Sequence, residues 1–397
     1  MNKTTRTILS VAVTLCLLAG GVSSCGCSKK AKTVVDWPIE HELEFGGVYV
    51  MMTIDEFNEL GYEYGDSVDV VFSNGLEFKD IPYYNGYYTA NNEPLIVAYP
   101  GYPYIKITLN NGADIWTKDM LLGDELDEIK KLDLWTRLGL EDGDVVTIKL
   151  HKAKEYADIQ DARNIQYEDE RSKFTSDEEF ANFRSISVSG MKANTVYRSA
   201  SPCDNQHNRA PYVDSLISKA GVGFILDLAD TDAKIEGYMA KDDFNSPYFK
   251  SLYEAGKVVP IALNMNYESD AFKEKVVNGL IAMSESTGPY LVHCTEGKDR
   301  TGYVCALLGA LCGASYEELR DDYMITYDNY YKISKTNDTK RYQTIIDSVF
   351  DPIIASIVND ASVDYKKCDL AAYAEKMLKE AGMTAAQIAA LKANIAV

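Results

Sequence analysis

Apolar and polar positions follow two different rhythms along the chain. Between residues 37 and 155 the apolar positions come in short runs, Val48 to Val50, Ser67 to Phe72, Pro94 to Ala98 and Val145 to Leu150. Turn-forming stretches separate them, among them Ser73-Asn74-Gly75, Asn91-Asn92, Pro100-Gly101, Asn110-Asn111-Gly112 and Asp142-Gly143-Asp144. Asn, Asp and Gly tolerate the backbone angles of tight turns, and Pro cannot continue a ladder. Closely spaced short strands of this kind predict a small all-β domain, barrel or sandwich, over residues 37–155.

From residue 176 strands alternate with longer amphipathic segments. Gly221 to Leu228, Val258 to Leu263 and Tyr290 to Val292 read as buried strands. Helical spacing covers 211–220, 271–286, 301–313 and 315–332, then Tyr342 to Asn359 and Leu370 to Ala381. Gly382 closes that last segment, and Thr384 is placed to cap one more helix. The alternation predicts an α/β domain over 176–397, a mostly parallel central sheet flanked by helices. Residues 156–175 are polar and charged (Asp158, Asp161, Glu168, Asp169, Glu170, Arg171) and read as a linker or a surface helix.

The beginning of the chain has a third pattern. Lys3 and Arg6 precede an apolar run from Ile8 to Ala19, which is followed by Gly20-Gly21-Val22-Ser23-Ser24-Cys25. The run is short for a membrane span and reads as an export signal, residues 1–24. Small residues before a Cys resemble a bacterial lipoprotein cleavage site, which would leave Cys25 as the lipidated N-terminus and 25–36 as a tether. A plain signal peptide cut nearby, or cleavage before Cys27, is the alternative. The expected location is outside the cytoplasm, on a bacterial membrane through that anchor alone.

Charge and cysteine content narrow the field. The 397 residues carry a net charge of -20, which disfavours nucleic acid or an anionic membrane surface as a general partner. No cysteine spacing reads as a disulfide framework or a metal site. Cys305 and Cys312 fall on a helical pattern and read as small core residues. An exported thiol enzyme would need reducing surroundings.

Against this acidic background one stretch concentrates chemistry: Val292-His293-Cys294-Thr295-Glu296-Gly297-Lys298-Asp299-Arg300-Thr301-Gly302. It joins a buried strand to a helix. A loop of this length can turn successive backbone N–H groups toward one point, and the helix start adds its own unpaired N–H groups and partial positive charge. An oxyanion fits such a cradle. Arg300 can grip two of its oxygens. Cys294 then lies beneath the central atom, with its pKa expected to fall beside the same donors. The chemistry this suits is thiolate attack on phosphorus followed by hydrolysis, with no metal or other cofactor.

These residues resemble the loop of the cysteine-dependent protein tyrosine phosphatases, and the Gly297-Lys298-Asp299-Arg300-Thr301-Gly302 ending is most similar to bacterial tyrosine and dual-specificity members. Asn182-Phe183-Arg184 and Val196-Tyr197-Arg198-Ser199 resemble the family's opening segments. The resemblance implies Cys294 as nucleophile, Arg300 as phosphate clamp, Thr301 as hydroxyl donor to the departing sulfur and His293 as orienter of the loop. Thr295, Glu296, Gly297 and Lys298 would line the substrate. For the acid that protonates the leaving oxygen, Asp299 comes first and Asp270 second, since Asn264 and Asn266 stand where an Asp is expected. Ala229 replaces the arginine that often follows Asp227-Leu228. Arg184, Arg198 and Asp227 are expected to form buried ion pairs at the sheet end. The loop from Ser201 to Arg209 could reach the site, with Cys203 a candidate to shelter Cys294 as a disulfide.

The implied activity is hydrolysis of phosphate monoesters, protein phosphotyrosine first, through a phosphocysteine. The substrate would be a phosphorylated protein or a small phosphate ester. A phosphoinositide or inositol-phosphate phosphatase of the same mechanism is the alternative: Lys298 favours it, and Glu296 counts against it. A catalytically silent surface lipoprotein that binds an anion or a partner is the reading from another class. In the first domain, Tyr64 to Val68, Glu93-Pro94-Leu95 and Leu138 to Val145 resemble the C-terminal barrel of the SAM hydroxide adenosyltransferases. An accessory or substrate-presenting role is expected there, and no activity is carried over.

Overall fold

A computed structural model describes residues 32–111 and 133–397. The expected signal peptide, Cys25 and the first part of the tether lie outside them. No helix among the described residues is long and apolar enough to cross a membrane.

The first domain is a closed barrel. Its strands are β1 (Val34–His41), β2 (Val48–Val50), β3 (Ser67–Phe72), β4 (Glu77–Tyr84), β5 (Pro94–Val97), β6 (Lys106–Leu109) and β7 (Val145–Lys152). They run in the order β1-β2-β6-β5-β4-β3-β7, and β7 pairs back onto β1. Closure leaves no exposed sheet edge. Alternate residues fill the interior: Val68, Val70, Ile107, Val146 and Ile148 are all fully buried. β1 begins at Val34, inside the stretch expected as tether, because Val34 is an interior residue opposite Ile148.

The stretch expected as a linker is folded against both domains. Its helix Ala157–Arg163 joins the barrel through Gln160, whose amide donates to Asn85 at 2.7 Å. The Arg163 guanidinium lies over the Tyr88 ring at 5.2 Å. On the other side, Lys340 bonds Asp158 at 2.6 Å.

The second domain is built on five strands, β8 (Arg184–Ser185), β9 (Val196–Ser199), β10 (Phe224–Asp227), β11 (Val258–Pro260) and β12 (Tyr290–His293). Their order is β11-β10-β12-β9-β8, parallel from β11 to β9 and antiparallel only at β8. Strand alternation splits the side chains between two cores. Phe224, Leu226, Tyr290 and Val292 face one that includes Val276, Leu280 and Tyr303. Ile225 and Leu291 face the other, with Val213, Ile217, Ile235 and Phe249. Helices therefore cover both faces. The helix Asp299–Leu311 is buried from Thr301 to Leu311, as its nearly unbroken apolar sequence requires.

Two boundaries differ from the sequence pattern. β11 stops at Pro260 rather than Leu263, because Ala262 turns the chain with φ 44° and sends the Leu263 amide to the Leu228 carbonyl at 2.8 Å. The pattern from Tyr342 to Asn359 is interrupted by a wide turn, Ile346–Phe350, just before Pro352. Proline has no N–H to give the preceding turn, so regular α-spacing cannot pass through it.

Candidate active site

The carboxyl ends of β9, β10 and β12 bring Ser199, Asp227 and His293 side by side, and the Cys294–Arg300 loop leaves from β12. Its carbonyls are held from outside. Ser201 N–H donates to the Thr295 carbonyl at 3.0 Å, and the Tyr330 hydroxyl donates to Glu296 at 2.9 Å. The Gly297 carbonyl accepts from Arg198 at 2.9 Å and from Asn182 at 3.2 Å. Turning the carbonyls outward turns the amides inward: among the described residues, the N–H groups of Thr295 to Arg300 donate to nothing. The helix Asp299–Leu311 adds its positive end at the same place. Gly297 makes the turn possible. Its φ is 68°, and a Cβ there would lie 2.1 Å from the Ser199 carbonyl oxygen.

Cys294 is buried at the start of this loop, and its thiol is free. Arg300 is anchored by two of its five N–H donors, one to the Leu263 carbonyl at 3.1 Å and one to the Thr295 hydroxyl at 3.4 Å. Thr301 is fully buried, and its hydroxyl has no partner among the described residues. His293 is also fully buried, with Nδ1 3.4 Å from the Cys294 carbonyl. Burial pushes its pKa down to about 4, so the ring is neutral at ordinary pH.

The rim is charged, but internally balanced. Lys298 pairs with Glu296 at 3.0 Å and stands 3.8 Å from Asp299. Burial works to lower the Lys298 pKa, yet Asp299 and Glu296 outweigh it and hold the ammonium charged. Burial also opposes ionisation of Glu296, and Lys298 and the Tyr167 hydroxyl, 2.7 Å away, outweigh it in turn. The rings of Tyr167, Tyr327 and Tyr331 surround the ammonium at 5.9, 5.9 and 5.7 Å. Asp299 accepts a hydrogen bond from Tyr323 at 3.1 Å. Tyr323 comes this close because Gly302 has no side chain: a Cβ there would lie 2.4 Å from its ring.

The ion pairs differ from expectation. Arg198 pairs with Asp322 at 2.7 Å, and Arg184 reaches the same carboxylate at 3.4 Å. Asp227 joins neither. Its carboxylate caps the following turn through the amides of Ala229 and Asp230, at 2.9 and 3.2 Å. Asp322 carried no signal in the sequence beyond being an acid on a helix. The tyrosines did, since Tyr316, Tyr323, Tyr327 and Tyr330 recur at three- to seven-residue spacing along one helix and all are buried.

The structure does not bring Asp270 to the loop. It is exposed at the first turn of Asp270–Ser284, behind the cap Ser269, and borders a surface groove with Lys273, Asn359 and Lys376. The Ser201–Arg209 loop meets the site at its start, where Ser201 holds the Thr295 carbonyl, and again at His207, whose ring lies 4.8 Å from that of Tyr167. Beyond that it docks the inter-domain segment, through His207 and Arg209 to Asp169 at 3.1 and 2.9 Å. Cys203 is a free buried thiol facing the Ser201 hydroxyl at 3.4 Å, and it forms no disulfide with Cys294.

A family model described as the tyrosine phosphatase family matches residues 178–397. A comparison with curated proteins finds no match. Among solved structures, the core catalytic domain of the PP-IP phosphatase SIW14 from S. cerevisiae is 21% identical over 45% of this chain and 93% of that chain, with a TM-score of 0.26. TpbA of P. aeruginosa is 16% identical over 44% of this chain and 88% of that chain, with a TM-score of 0.24.

Proposed function

The chain belongs to the tyrosine phosphatase family, and from that premise we propose that it hydrolyses phosphate monoesters, protein phosphotyrosine foremost, through a phosphocysteine at Cys294. The inward amides of Thr295 to Arg300 and the Arg300 guanidinium receive the three non-bridging phosphate oxygens. The Cys294 sulfur forms a bond to phosphorus as the ester oxygen leaves with its electron pair. Asp299 gives that oxygen a proton. Water then attacks the phosphocysteine, Asp299 takes up its proton, and the unpartnered Thr301 hydroxyl meets the departing sulfur. Neutral His293 orients the loop through the Cys294 carbonyl.

The observation that carries the substrate assignment is the pairing of Lys298 with Glu296 inside a ring of tyrosines. A cation already matched by a carboxylate offers little to a second phosphate group. Aromatic walls suit an aryl ester. The test is a comparison of kcat/KM on phosphotyrosine peptides and on inositol polyphosphates. A preference for the peptides is expected. A preference for inositol polyphosphates would replace the substrate assignment, and turnover by Cys294→Ser would remove the mechanism.

Attachment of the exported chain to a bacterial membrane through lipid on Cys25 is part of the same proposal. Membrane fractionation of the wild type and of Cys25→Ala tests it, with release of the variant into the soluble fraction expected.

A further inference from the structure

The feature that phosphoryl transfer leaves unused lies beside the loop, at the carboxyl end of β10. Cys203 comes from the turn after β9, Asp227 from the end of β10, and Asp230 from the turn that follows. The Cys203 Sγ and one carboxylate oxygen from each aspartate lie within 4.8 Å of one another. The three residues are 2%, 0% and 3% exposed. Oδ2 of Asp227 and Oδ2 of Asp230 have no hydrogen-bond partner among the described residues. Nε2 of His293 has none either, and it stands 3.8 Å from that Asp227 oxygen. A buried polar atom left unsatisfied is costly, so two orphan carboxylate oxygens in one spot beside a buried thiol call for a shared partner.

We propose that Cys203, Asp227 and Asp230 bind one divalent transition-metal ion of the zinc class. A thiolate beside two carboxylates selects a borderline-soft ion over magnesium or calcium. Ligands of a tetrahedral zinc stand roughly 3.5 Å apart, inside the present spread of up to 4.8 Å, so binding would draw the three groups together. A fourth position remains for water. Binding replaces the Cys203 S–H bond with a sulfur–metal bond, and the proton leaves to solvent. The ion has a route in: Cys203 borders a surface cavity of about 240 Å³ lined also by Asn205, Tyr238 and Ser246. Held there, it ties the turn after β9 to the end of β10, next to His293. The site is structural. No step of the phosphoryl chemistry passes through it, and it stands whether or not Cys294 is the nucleophile.

The test is a cobalt titration of the full chain carrying Cys294→Ser, followed by absorption and thermal unfolding. One Co2+ per chain is expected, with a thiolate-to-cobalt charge-transfer band, a raised Tm, and displacement by zinc. Cys203→Ala should abolish the band. Asp230→Asn should weaken binding by at least about 10-fold. The exposed group Asp80, His151 and Glu155 has no sulfur and cannot give the band. The proposal is overturned if no band appears, if it survives Cys203→Ala, or if Asp230→Asn binds as tightly as its parent. Should Cys203→Ala not fold, the Asp230→Asn comparison decides alone.

Discussion

The Glu296 carboxylate stands 3.0 Å from the Lys298 ammonium, so the loop that gathers donors for a phosphate also neutralises its own extra cation. Glu296→Gln should remove the nearer of the two counter-charges on Lys298 and leave Asp299 at 3.8 Å. The ratio of kcat/KM for an inositol polyphosphate to that for a phosphotyrosine peptide should then rise by about 3–10-fold, the size of one partly exposed charge interaction. An unchanged ratio would mean that Lys298 does not face the substrate.

Gly297 is fixed by backbone geometry and by the Ser199 carbonyl. Gly297→Ala should lose about 100-fold or more in kcat/KM, the scale expected when reacting groups are displaced by an ångström. Stability should fall by more than about 1–3 kcal/mol, the cost of one strained residue, because the Cβ also meets the Ser199 backbone. Paired kinetics and denaturant melts check the two numbers. Near-parental turnover would show that the loop tolerates another path.

Arg198 holds the Gly297 carbonyl with one arm and Asp322 with the other. Asp322→Asn leaves a buried guanidinium without its counter-charge and should cost about 3–5 kcal/mol. The double variant Arg198→Met, Asp322→Leu should regain only part of that stability, because Arg184 also loses its carboxylate, and should not regain activity, because the Gly297 carbonyl then keeps only the longer bond from Asn182. Recovery of both together would assign the pair to stability alone.

Local order was legible in the sequence, and long-range partnership was not. Strand alternation marked β3 and β7, and the run from His293 to Gly302 marked the loop and what it could hold. Asp322 was invisible because it meets Arg198 across 124 residues, and nothing near it in sequence marks the contact. Tyr167 lay in a stretch read as linker, and only the fold brings it to Glu296. Val34 reads as tether in the sequence because one apolar pair beside a polar stretch gives no periodicity. The Cys203, Asp227 and Asp230 group escaped for the same reason as Asp322: its members come from separate turns, without metal-ligand spacing.

Glu179 bonds Lys332 and the amide of Thr175, tying the start of the second domain to the end of helix Tyr316–Tyr331. Burial works to raise its pKa, but the bonds from Lys332 and Thr175 outweigh it and lower the carboxyl from 4.5 to about 2. The folded state therefore binds this proton less readily than the unfolded chain. The stabilisation is complete above pH 4.5 and is lost as pH falls toward about 2. Glu179→Gln should cost about 2 kcal/mol at neutral pH and flatten the acid limb of a stability–pH curve. An unaltered acid limb would contradict the assignment.

The most direct measurement is acid quenching of the enzyme during turnover of a phosphotyrosine peptide, followed by mass spectrometry of its proteolytic fragments. A single phosphoryl group on the fragment bearing Cys294 is expected, absent from Cys294→Ser, which should show no turnover. A phosphoryl group on any other residue, or full activity in Cys294→Ser, would contradict the account.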